Sequence, residues 1–167
     1  PLIVISEKLT KKVKNLVGEA PVALGMRYGN PSIASALNEL KDQGVTDLFV
    51  VPLYPQYAMS TTETVEEKVK ADITSLQWEV NYTFQPPFYN DELYLKALGD
   101  SIKEKINVSD YDKVLFSYHG IPERHIRKSD ITKSHCKIDK NCCQTTSKAH
   151  RYCYRHQCYE TTRQVAE

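Results

Sequence analysis

The sequence predicts an α/β protein with parallel strands, and three observations lead there. Short apolar runs of strand length, at residues 21–29, 46–56, 78–87 and 111–120, take turns with amphipathic stretches of helix length. Two of the runs, 46–56 and 111–120, are apolar through their middles, as expected of strands covered on both faces. Capping and turn residues separate the elements, so strand and helix alternate along the chain as in sheets joined by helical crossovers.

Taken in order, residues 21–29 (PVALGMRYG) form the first expected strand, which ends at Arg27, Tyr28 and Gly29. Asn30, Pro31 and Ser32 interrupt it, with Asn30 or Ser32 as the N-cap of a helix. In that helix the apolar residues 33, 36, 37 and 40 share one face, and Gly44 closes it. The second strand covers 46–56, and residues 60–73 form a helix opened by a capping box of Ser60 and Glu63. Alternation at 78–87 predicts a third strand. The amphipathic stretch 89–106 is a helix with apolar residues at 93, 95, 98, 102 and 106. Residues 111–120 form a buried strand that stops at His119 and Gly120, and 158–167 begins a last helix. A weakly marked gap near residues 75–80 divides the chain into 1–77 and 78–167.

Composition removes several classes of function. A formal net charge of +1 gives no electrostatic case for a nucleic-acid partner. The run LFVVPL is far too short to span a bilayer, and PLIVISEKL lacks the basic start and length of a signal peptide. The chain starts without Met inside an apolar segment, which predicts an excised piece of a longer protein. With 41% hydrophobic residues it has enough apolar surface to bury a core.

The five cysteines, Cys136, Cys142, Cys143, Cys153 and Cys158, all fall in the last third of the chain. A disulfide framework would spread an even number through the fold. A local, odd cluster without an export signal points to the cytosol and to a metal or cluster site.

Ligands of open parallel sheets bind beyond the carboxyl ends of the strands. Three expected strand ends carry Arg27 and Tyr28, then Tyr54, Pro55, Gln56 and Tyr57, then Ser117, Tyr118, His119 and Gly120. On one rim they would present a cation, several phenols, an amide and an imidazole to a single cleft. That set suits a large flat ligand, with the imidazole to take protons or hold a metal. Taken singly, each has a plainer reading: His119 as a hydrogen-bonded structural residue, the tyrosines as packing, Arg27 as an ion-pair partner.

Three blocks also carry a family resemblance. VLFSYHGIPERHIRKSD, LYPQYAMSTT and GMRYGNPSI resemble the signature segments of ferrochelatase, and they occur in that family's order. Ala58 stands where the family usually has serine. The resemblance covers nearly the whole chain apart from residues 131–153. It implies a chelatase-like three-layer αβα fold with parallel sheets, the chain covering parts of two Rossmann-like lobes: the end of the first in 1–77 and the start of the second in 78–167. It implies insertion of ferrous iron into a porphyrin, protoporphyrin or coproporphyrin, in haem biosynthesis. By the same resemblance His119 accepts a pyrrole proton or binds Fe²⁺, and Arg27, Tyr28, Tyr54, Gln56 and Tyr57 line the porphyrin pocket. The family's N-terminal strand and its C-terminal half, with a catalytic glutamate, have no counterpart here. These residues alone are therefore expected to bind porphyrin poorly and not to turn over. The partners expected are porphyrin and ferrous iron, with peripheral membrane association and a homodimer by strand exchange as further expectations.

Against this family, residues 131–153 read as an insertion between a Lys128-Ser129-Asp130 turn and a helix start at YRHQCYETTRQVA. Its cysteines, with Cys158, are spaced C-x5-C-C-x9-C-x4-C. Four of the five thiolates would close a [2Fe–2S] cluster or a tetrahedral Zn²⁺ site, and His135, His150 and His156 are substitutes in a mixed site. The resemblance favours iron–sulfur, because some bacterial ferrochelatases carry such a cluster. Reduced thiols in a plain loop, or disulfides, are the other readings. Two further functions compete: a chelatase that places cobalt or nickel in a related tetrapyrrole, and a metal-binding or redox-sensing α/β module. The YPQY block argues against the module, which has no need of a porphyrin rim.

Overall fold

A computed structural model describes residues 2–139 and 141–167; Pro1 and Lys140, the latter within the Cys-rich segment 131–153 expected to be an insert, lie outside them. The chain is mixed α/β, with a parallel pair of strands and helices. In order, the elements are α1 (Leu2–Val17), α2 (Ile33–Asp42), β1 (Asp47–Val50), α3 (Thr64–Ser75), β2 (Asn81–Phe84), α4 (Glu92–Lys103), α5 (Glu123–Ser129) and α6 (Tyr154–Ala166). The chain divides into two compact units, one of Pro1–Pro52 with Thr64–Gln85, the other of Leu53–Glu63 with Pro86–Glu167.

In the first unit, β1 and β2 run parallel in the register Asp47 opposite Asn81 to Val50 opposite Phe84. α3 connects them, a βαβ arrangement. Ser32 is the N-cap of α2, its hydroxyl accepting the Ser35 N–H at 3.1 Å. Gly44 follows the helix with φ +74°, a left-handed turn that glycine adopts without strain. The apolar face read from the sequence is the buried one. Ile33 and Leu37 of α2 meet Val69 and Ile73 of α3, with Leu48, Val50, Trp78 and Phe84 packed against them. Gly25 allows α2 to come close, since a Cβ there would stand 3.1 Å from the Ile33 Cα.

Several expectations are corrected. Residues 21–29 do not form a strand; they make one bridge, Met26 with Ser32. The strand expected over 46–56 stops at Val50 and is covered on one face, Leu48 and Val50 inward and Phe49 60% exposed. A two-stranded sheet with α2 and α3 on one side leaves the alternate side chains in solvent. Of the strand expected over 78–87, only Asn81–Phe84 forms, and it pairs with β1 inside the first unit. Residues 111–120 are neither a strand nor buried, with Leu115 92% exposed. A strand exists only through its pairing, and among the described residues no strand pairs with that segment. The helix α1 was not anticipated, although its half-buried residues Ile3, Ser6, Thr10 and Val13 have helical spacing. The helix from 60 begins instead with a π-helical turn, Met59–Glu63.

The second unit is organised around α4 and α6, with α5 and a 3₁₀ turn, Lys148–Tyr152, bracketing the insert. Asp91 caps α4 by accepting the N–H groups of Leu93 and Tyr94, both at 3.0 Å. No helix among the described residues is long and apolar enough to cross a membrane.

Candidate functional site

Because 21–29 and 111–120 are not strands, Arg27, Tyr28 and His119 stand on irregular backbone and not at strand ends. In the first unit, Arg27 Nε donates to the Thr64 carbonyl at 3.2 Å, and its guanidinium lies 4.6 Å from the centre of the Tyr28 ring. Tyr28 itself is 72% exposed. The backbone bond and the stacked ring hold the arginine in place while leaving the phenol in solvent.

Tyr54, Gln56, Tyr57 and His119 belong to the second unit. Two adjacent residues of α6 bring their segments together. Gln56 Nε2 donates to Thr161 Oγ1 at 3.0 Å, and Tyr118 Oη lies 2.9 Å from Thr162 Oγ1. Thr162 gives its own proton to the Cys158 carbonyl at 3.0 Å, so the phenol of Tyr118 is the donor. Tyr94 of α4 interacts with both, bonded to Gln56 and within electrostatic reach of Tyr118; burial raises its phenol above the usual range. The loop 53–57 and the segment ending at His119 are thus pinned to consecutive residues of one helix. Tyr54 and His119 remain exposed.

Tyr57 is held at both ends. Its N–H donates to Gln157 Oε1 at 2.6 Å, its hydroxyl to Glu63 Oε2 at 3.1 Å, and its ring meets Tyr152 edge-on at 5.1 Å. Glu63, expected as a capping residue, thus lies in the π-helical turn and accepts the Tyr57 hydroxyl. Ala58 is buried, and its carbonyl accepts the N–H groups of Thr61 and Glu63.

The Cys-rich segment 131–153 is built on carboxylates and histidines. Burial would raise the Asp130 carboxyl, but bonds from the N–H groups of Cys136, Thr132 and His135 and from the Thr132 hydroxyl hold it at about 2. Asp139 Oδ1 accepts the N–H groups of Asn141 and Cys142 at 2.9 and 2.7 Å. His135 and His150 both approach the Cys142 carbonyl, at 2.7 and 3.0 Å, and His156 Nδ1 approaches the Cys143 carbonyl at 3.0 Å. The His150 and His156 rings stack with centres 3.6 Å apart. The three imidazoles so fix the backbone of the Cys142–Cys143 pair.

All five cysteines are free thiols. Cys153 is the N-cap of α6, its sulfur accepting the His156 N–H at 3.5 Å. Hydrogen bonds from the Cys143 thiol and then, against the cost of burial, from the His156 N–H and the Cys136 thiol lower Cys153 to about 6. Burial and the proximity of Cys153 push Cys136 up to about 12, and Cys143 rises because its proton is shared with Cys153. Cys158, raised to about 11 chiefly by burial, also bonds Tyr154. Cys136 and Cys143 thus each interact with Cys153, which brings thiol donors of the kind that hold a metal or cluster to the start of α6. Among the described residues, no three of His, Cys, Asp or Glu stand in the arrangement of a metal site.

Sequence reading missed Tyr94, Gln157, Thr161 and Thr162, and saw Asp130 only as part of a turn. One signal was present: Cys153, Gln157 and Thr161 recur at i, i+4 and i+8, a polar line on the face of α6 that should be buried. Gln157 and Thr161 are both fully buried.

The ferrochelatase family matches the chain throughout residues 1–167. The chain is 43% identical over 167 residues to the ferrochelatase of Opitutus terrae, covering 99% of this chain and 48% of that protein. It is 41% identical to that of Pseudomonas fluorescens and 42% to that of Ectopseudomonas mendocina, in each case over 168 residues, 100% of this chain and 49% of the relative. The chain therefore spans about half the length of these curated relatives.

Proposed function

The chain belongs to the ferrochelatase family, and from that premise we propose that it serves the insertion of ferrous iron into a porphyrin to give haem. The observation supporting this most directly is the shared anchorage on α6, where Gln56 bonds Thr161 and Tyr118 bonds Thr162. It puts the YPQY loop and the His119 segment side by side, with Tyr54 and His119 open to a ligand.

Metal insertion asks for three things: a macrocycle held and bent, two pyrrole protons removed, and Fe²⁺ stripped of water. In this proposal Arg27, Tyr28, Tyr54, Gln56 and Tyr57 line the porphyrin. The His119 imidazole takes a pyrrole proton or holds the incoming iron, which its neutral form does in either case. Gln56 and Tyr57 act through fixed geometry, since both are tied to α6. Residues 1–77 are read as the end of the first lobe of such an enzyme and residues 78–167 as the start of the second.

For the insert, four of Cys136, Cys142, Cys143, Cys153 and Cys158 would hold a [2Fe–2S] cluster, or Zn²⁺ in its place. Such a group braces the insert or registers redox state, because metal insertion transfers no net electrons. The protein is placed in the cytoplasm as a lyase, with peripheral membrane contact and a homodimer as further parts of the proposal.

The test of the site is His119→Ala in the protein that carries these residues. Metal insertion should be lost while porphyrin still binds; retained activity overturns the role. For the insert, anaerobically purified protein should absorb between roughly 400 and 600 nm with about two irons and two sulfides per chain. A colourless, zinc-containing sample replaces the cluster with zinc. A polypeptide limited to these 167 residues should show no turnover, and near-normal rates would refute the two-lobe reading.

A further inference from the structure

We infer that Gln157 is a positioning residue that ties the loop carrying Tyr54 and Tyr57 to the Cys-rich insert, so that the state of the insert sets the placement of that loop. The side chain is fully buried on α6 and all its bonds are directed. Its Oε1 accepts the Tyr57 N–H at 2.6 Å, and its Nε2 donates to the carbonyls of His150 and Arg151 at 3.1 and 2.8 Å. One acceptor faces an N–H and one amide nitrogen faces two carbonyls, so the amide has a single satisfied orientation. No water is needed to link the two segments.

The contacts around it work in the same direction. The Tyr57 ring packs on Tyr152, the last residue of the 3₁₀ turn that ends the insert. The Gln157 N–H donates to the carbonyl of Cys153 at 3.0 Å. One turn further along, Thr161 accepts Gln56 and donates to the Tyr89 carbonyl at 2.8 Å, with the Gln157 carbonyl at 3.0 Å sharing that proton. A shift of the first turn of α6, where Cys153 is the cap, therefore moves Gln157 and the Tyr57 amide together. The meaning of the loop as a substrate surface rests on the chelatase reading; the mechanical tie does not.

Amide hydrogen exchange on the 167-residue chain tests the tie. In Gln157→Met, which keeps bulk and removes every bond, exchange at Tyr57 and at 148–152 should both rise about tenfold, the factor matching ~1.4 kcal/mol for a lost buried partner. Gln157→Glu keeps the acceptor but offers the two carbonyls one hydroxyl proton at most in place of the amide's two. It should rescue Tyr57 protection to within about twofold of the parent while 148–152 stays loosened, a split that general loosening of α6 does not produce. Asp130→Asn, which frees the start of the insert, should raise exchange at Tyr57 in the parent and add nothing in the Gln157→Met background. Unchanged exchange at 53–58 in Gln157→Met, or in Asp130→Asn alone, overturns the inference. A porphyrin titration that fails in the relative-length protein would sink the chelatase reading and leave these exchange results standing.

Discussion

Replacing Asp130 with asparagine should unlatch the start of the insert. Four bonds end on its carboxylate: Thr132 N–H at 2.8 Å and Thr132 Oγ1 at 2.7 Å on Oδ1, then His135 N–H and Cys136 N–H, each at 2.9 Å, on Oδ2. Burial opposes the charge, but these bonds outweigh it and hold the group at about 2 against an ordinary 3.8. By linkage that difference is worth roughly 2 kcal/mol, and about 1 kcal/mol after allowance for screening by solvent. Asparagine keeps one acceptor and turns an NH₂ group toward two N–H donors, which are then left unpaired in a buried place. Adding that cost, the total loss is roughly 2–4 kcal/mol. The folded-state value lies below the unfolded one, so the stabilisation is complete above about pH 4 and disappears as pH falls toward 2. Urea unfolding at pH 7 and across the acid limb, with thiol reactivity of Cys136 as a local probe, measures both. An Asn variant with the parent's midpoint, the parent's acid limb and unreactive thiols would show that Asp130 does not hold the insert.

Substitutions at three more positions follow from the packing. Thr161→Val keeps the shape but strands the Gln56 amide and the Tyr89 carbonyl, and should cost about 1–3 kcal/mol in urea unfolding with increased mobility of Tyr54 by fluorescence. Leu37→Ala in the α2–α3 core, where Leu37 is 4% exposed, should cost about 2–5 kcal/mol and lower the midpoint of the first unit. Ser32→Ala removes the cap of α2 and should cost about 1 kcal/mol, while Ser32→Gly should cost only a few tenths.

What could be read before folding was whatever local periodicity encodes. The helix face 33/36/37/40, the Ser32 cap and the Gly44 stop are properties of neighbours in sequence, and they stand as expected. The three ferrochelatase blocks are strings of the same kind, and the family follows from them. Strands 21–29 and 111–120 were misread because an apolar run records a preference for burial, whereas a strand requires a partner. For the same reason α1 was passed over, its helical stripe being half polar.

By itself the sequence determined which residues could do chemistry: an imidazole after a run of apolar residues, phenols around a Pro-Gln pair, five thiols within 23 residues. Tertiary structure alone decided which of them meet. Thr161 and Thr162 collect Gln56 and Tyr118 from segments some sixty residues apart in the chain. Gln157 joins Tyr57 to the end of the insert, and Cys153 gathers the protons of Cys136 and Cys143 at a helix start. Those bonds depend on burial and on which helix face a residue occupies, quantities set by packing distant parts of the chain against one another. The segment before His119 and the end of the Cys-rich segment, close in sequence, are thereby held at separate places along α6, Tyr118 on Thr162 and the carbonyls of His150 and Arg151 on a glutamine that no motif marked.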